Sequence, residues 1–83
     1  MIDEISRGTT AERILEDEVF KEAVSEVSKR LVEEWSTSHN KERREELWAQ
    51  QHALTKVVEN LATFMQNGEM QKRLTDTKEG WFK

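Results

Sequence analysis

The sequence predicts an all-α protein, an antiparallel two-helix hairpin with a short N-terminal helix and a flexible aromatic C-terminal tail. Three observations carry this. Phe20, Val24, Val27, Leu31 and Trp35 recur at steps of three and four, as do Leu47, Leu54, Val58, Leu61 and Met65 at multiples of those steps. Between the two stripes lies Ser36-Thr37-Ser38-His39-Asn40, a polar run that extends neither of them. Asn67-Gly68 then marks where the second stripe should stop.

The N-terminal residues 1–8 read as a flexible arm, because Gly8 interrupts any pattern and only Ile2 and Ile5 are large and apolar. Residues 9–74 form the helical domain. Thr9-Thr10-Ala11-Glu12 places a hydroxyl three residues ahead of a carboxylate, the spacing of a capping box, and predicts a short helix from about Thr10 to Glu16. Asp17 can cap a new helix at its side, with Glu18 in the positive first turn, or the helix can run through it; both readings stay open at this level. Ala23 beside the first stripe permits close approach of a neighbour, while Lys21, Glu22, Ser25, Glu26, Lys29 and Glu33 form a polar face.

The second long helix is expected from Asn40 or Lys41 to Gln66, with Gly68 at a left-handed C′ position after Asn67. Leu47, Leu54 and Leu61 repeat every seven residues, and Val57, Val58, Phe64 and Met65 widen the stripe beyond a single two-helix seam. Trp48 lies about 100° around the helix from Leu47, off the stripe. Residues 75–83 form a polar tether that ends in Trp81-Phe82-Lys83, an aromatic pair able to fold back on the hairpin or to plug a groove on a partner.

A chain of 83 residues builds one small domain and hides only about 60% of the surface its unfolded form exposes. It has no cysteine, hence no disulfide staple and no thiolate metal site, which is the pattern of a reducing compartment. Oligomerisation or docking is the remaining way to supplement the core. No stretch is apolar enough to span a bilayer, and the N-terminus lacks the basic flank of a signal peptide. Charge is plentiful and mixed, 17 acidic against 13 basic side chains for a net of −4. The acids concentrate in residues 1–37, which carry net −5 against +1 for the remainder.

Motifs for chemistry are missing. His39 and His52 have no second ligand at helical spacing, the glycines at 8, 68 and 80 form no phosphate cradle, and the carboxylate pairs Glu33-Glu34 and Glu45-Glu46 splay apart on a helix. The expectation is therefore a non-enzyme without cofactor or metal. The basic concentration Lys41, Arg43 and Arg44 supplies candidate phosphate contacts, although Glu42, Glu45 and Glu46 interleave with it. Lys41 with Glu45 and Arg43 with Glu46 are spaced for ion pairs along the helix.

The run Arg7-Gly8-x-x-Ala11-Glu12-x-Ile14-Leu15, then Val19-Phe20-x-x-Ala23, Arg43-Arg44-Glu45-Glu46-Leu47-Trp48, and Leu61 through Asn67-Gly68, resembles a group of small helical proteins of tailed bacteriophages, encoded among virion structure and assembly genes. The likeness covers about residues 7–70. Members often carry proline where this chain has Glu18, a departure at the start of the first long helix. The resemblance implies an accessory or assembly protein of the infected bacterial cytoplasm or the virion, and brings no catalytic residue with it. The expected activity is self-association or docking on another protein, with partner contact through Trp48, Phe64, Met65, Trp81 and Phe82. Two other readings fit the same residues: a nucleic-acid-packaging or regulatory adaptor of the small-terminase kind using Lys41, Arg43 and Arg44, and an inhibitor of a host enzyme presenting the acidic first helix.

Overall fold

A computed structural model describes the backbone of residues 3–81 and the side chains through Thr75. The described chain is all-helical: α1 spans Glu4–Glu16, α2 Glu18–Thr37 and α3 Lys41–Trp81. They form a slender body of 66 × 23 × 22 Å. Its length is set by α3, whose 41 residues cover about 60 Å at the helical rise of 1.5 Å per residue.

Each helix starts where a short polar side chain can satisfy free backbone N–H groups. The Asp3 carboxylate accepts from the Ser6 N–H at 2.9 Å and from the Ser6 hydroxyl at 3.0 Å. Both bonds hold the Asp3 carboxyl below its ordinary range, the backbone one contributing most. Asp17 is the single extended residue between α1 and α2, with ψ of 126°, and its carboxylate accepts from the Phe20 N–H at 2.9 Å. The alternatives left open at Asp17 thus resolve into a break. Asn40 starts α3 the same way, its Oδ1 accepting from the Arg43 N–H at 2.9 Å. Between α2 and α3, Ser38 leaves the helical conformation while its N–H still donates to the Glu34 carbonyl at 2.9 Å.

Both shorter helices lie along α3. Near the turn, Leu31 and Trp35 share a recess with Leu47 and Trp48; farther along, Phe20 and Val24 share a groove with Val58. The numbers of neighbouring residues thus rise on one helix as they fall on the other. Beyond Asp17, α1 continues along α3 and makes the more extensive contact of the two. There the two backbones meet at glycine: a Cβ built on Gly8 would lie 2.8 Å from the Phe64 carbonyl oxygen and 2.9 Å from the Gly68 Cα. Only hydrogen fits in that space. Ala11, one turn on, is 2% exposed, and Leu47 at 1% is the other fully buried apolar side chain among the described residues.

Several sequence expectations are corrected by this arrangement. Residues 4–8, expected in a loose arm, are the opening turns of α1, and Gly8 is buried inside the helix. Thr9 consequently caps nothing; its hydroxyl donates to the Ile5 carbonyl at 3.0 Å within the helix. Gly68 does not end the second long helix, since no described glycine has a positive φ and α3 runs on to Trp81. The physical reason is common to all three: each glycine's missing side chain serves the approach of α1 to α3, and that docking outweighs the roughly 1 kcal/mol helix penalty of glycine. The polar segment from Thr75, expected as a tether, has a helical backbone through Trp81.

Candidate interaction surface

Helix geometry places the functional candidates on three neighbouring regions. The first is the turn between α2 and α3. Arg43 reaches back to Glu34, its Nε donating to one carboxylate oxygen and an Nη donating to the other at 3.0 Å, while its second Nη donates to Glu46 at 3.1 Å. These charge-assisted bonds hold the Glu34 carboxyl below its ordinary range and push the Arg43 guanidinium still further toward the charged form. Arg44 lies over the Trp35 ring, 4.0 Å from its centroid, and its Nε is shielded from solvent with the ring face in place of an oxygen acceptor. Trp48 stacks on His52 with centroids 5.0 Å apart.

The second region is an open groove of about 680 Å³ along α2, lined on its apolar side by Leu15, Phe20, Val24, Val32 and Val58. Lys21, Lys29 and Glu33 stand along it with Ser25 and Ser28 between them. Val32 also lines a smaller recess of about 120 Å³ with Leu31, Trp35, Leu47, Trp48 and Gln51, so the two depressions join into one apolar strip. Val32 is 54% exposed and Trp48 64%. Within this recess the Gln51 Oε1 is shielded from solvent without a donor from the chain.

The third region is the seam of α1 with α3. Arg7 lies over the Phe64 ring, 4.3 Å from its centroid. Met65 is half-buried beside Ile5 and Gly8.

Of the five residues expected to contact a partner, Trp48 stands open on the α2–α3 surface, whereas Phe64 and Met65 are half-buried in the α1 seam. The physical reason is α1 itself, whose longer span covers the far end of the stripe. The Trp81 side chain and all of Phe82 lie outside the described residues. Of the basic trio, Lys41 and Arg44 line one depression with Trp35 and Trp48. Arg43 is held by two carboxylates, Arg44 lies on an aromatic face, and Lys41 is exposed. Of the ion pairs expected along α3, Arg43 with Glu46 forms, while Lys41 with Glu45 is not among the pairs within 4.0 Å.

Sequence reasoning missed Val32, the residue joining both depressions. It sits on the row Lys21, Ser25, Ser28 and Val32, where polar neighbours erase the apolar period. The usable signal was its position seven residues after Ser25, one heptad along the same face. Among the described residues no three potential metal ligands cluster, and no helix is long and apolar enough to cross a membrane.

The fold and this surface define a class: an all-helical protein with an uncovered apolar strip. Comparison with protein-family models, curated proteins and solved structures finds no match to the chain.

Proposed function

We propose that this chain is a non-enzymatic interaction protein, an antiparallel helical hairpin braced by α1, that self-associates or docks on another protein through the apolar strip of α2 and α3. One observation carries the reading. Val32, Trp35 and Trp48 are 54%, 42% and 64% exposed on joined depressions, while only Ala11 and Leu47 are fully buried among the described apolar residues. A large apolar surface beside so small a core is the property of a surface that gains stability when covered.

The setting in tailed-phage accessory or virion assembly work rests on the resemblance of residues 7–70, and the place of action, infected cytoplasm or virion, follows from it. Trp81 and Phe82 join the proposed contact set on sequence grounds alone. The pairing of Arg43 with Glu34 and Glu46 disfavours a phosphate-binding role for the basic trio, since counterion release needs uncompensated charge.

The test is light scattering coupled to size-exclusion chromatography on the full chain, alone and mixed with purified structural proteins of tailed phages. We expect an assembly larger than the monomer in at least one mixture, lost in Val32→Asp and Trp48→Asp with helical circular dichroism retained. A chain that stays monomeric and unbound in every mixture overturns the reading.

A further inference from the structure

We infer that the groove along α2 receives the α2 of a second copy of this chain, the two helices packed antiparallel about a twofold axis at the level of residue 27, between Ser25 and Ser28. The inference rests on the proposed role of the α2–α3 face and names its occupant.

Charge along the groove supports this occupant and its direction. Lys21 and Glu33 line opposite ends of the groove, and neither has an ion-pair partner among the described residues. Antiparallel docking with residue 27 opposite its own copy sets Lys21 against the partner copy's Glu33, and twofold symmetry forms that pair twice. Lys29 then faces the partner copy's Ser25, so no like charges oppose one another among the groove residues. A parallel copy would instead stack Lys21, Lys29 and Glu33 each on itself, a like-charge ladder. Near the proposed axis stand Ser25 and Ser28, small enough for two helix backbones to approach, with Val24 and Val32 flanking them.

Size agrees with the same occupant. The layer of α2 and α3, about 30 Å long over the 20 residues of α2 and about 20 Å wide at about 10 Å per helix, offers a footprint of about 600 Å² per copy. Two copies together cover about 1,200 Å², the lower edge of a specific stable interface. The α2–α3 pair is moreover one layer with an open apolar side, and an identical layer laid on it completes a four-helix arrangement.

Sedimentation equilibrium of the full chain over a concentration series at low salt tests this, with Lys21→Glu, Glu33→Lys, the double variant Lys21→Glu/Glu33→Lys, and Val32→Asp. The three positions changed are all exposed, and circular dichroism reports that helix is kept. The wild-type chain is expected to reach a monomer–dimer equilibrium. Each single reversal weakens dimerisation about tenfold, the size of two exposed ion pairs turned into repulsions. The double variant returns to within about threefold of wild type, because antiparallel pairing restores opposite charges. Val32→Asp abolishes the dimer. A wild-type chain monomeric up to about 1 mM overturns the inference. So does a dimer indifferent to all the substitutions, or a double variant as weak as the single ones. A monomer that still binds a phage structural protein through Val32 and Trp48 overturns this inference alone and leaves the proposed function standing.

Discussion

Gly8 of α1 and Gly68 of α3 face each other so closely that a Cβ on either one would come within 2.9 Å of the other's Cα. The obstacle is backbone, which cannot rotate away as a side-chain end can. Gly8→Ala and Gly68→Ala should therefore each destabilise the fold by about 1–3 kcal/mol, net of the helix propensity that alanine gains. Urea unfolding followed by circular dichroism checks this. An unchanged or raised midpoint would show that α1 does not seat on α3 in this way.

The clasp of Arg43 on Glu34 makes the α2–α3 turn sensitive to acid. The bond lowers the Glu34 carboxyl from its ordinary 4.5, so its stabilising effect is fully present above that pH and fades as pH falls through the depressed folded value. Wild-type stability should drop across the acidic range below about pH 4.5, and Glu34→Gln should flatten part of that slope while lowering stability at neutral pH. Thermal melts of the two proteins between pH 2.5 and 7 are the measurement (pH values about the carboxylate range). Equal slopes would remove Glu34 from the acid response.

Leu47 and Trp48 are adjacent in sequence and opposite in consequence. Leu47 is 1% exposed, so Leu47→Ala should cost about 2–5 kcal/mol, enough to unfold a domain this small. Trp48 is 64% exposed, and Trp48→Ala should leave the unfolding midpoint nearly unchanged while weakening association. Parallel denaturation and sedimentation runs separate the two effects. Loss of helix in the Trp48 variant would make it a core residue.

Asp17 gives a fourth expectation. Asp17→Ala removes the acceptor of the Phe20 N–H and should cost about 1 kcal/mol, whereas Asp17→Asn should retain most of the stability because asparagine caps as well. Urea midpoints ordered wild type, Asn, Ala would agree; identical midpoints for all three would deny the cap any weight.

How much could be read beforehand depended on whether the cause was local. Asp17 offered itself as a cap, with a continuous helix as the alternative, and Asn40 marked the next start to within a residue, because a short polar side chain three residues ahead of a free N–H acts within its own turn. Leu47 was legible through its heptad with Leu54 and Leu61, and Trp48 through its offset from that line. Gly8 and Gly68 were not legible. Each alone looks like a helix breaker, and what keeps both inside helices is a partner distant in sequence. The groove was hidden for a related reason, since Ser25 and Ser28 make its row look solvated until α3 brings Val58 beside it. Phe64 and Met65 showed their apolar character but not their cover, because the length of α1 was unreadable without the glycine contact.

The seat of α1 also dictates an order of events during synthesis. The glycine it rests on is about sixty residues downstream, so α1 emerges from the ribosome long before its berth exists. Until α3 begins to emerge, α1 and α2 have only each other to shelter their oily sides, and α2 gains its neighbours Leu47, Trp48 and Val58 before the seat of α1 is complete. Seating of the first helix therefore waits on synthesis of α3, and a nascent chain halted ahead of Gly68 would lack the closest contact that α1 makes.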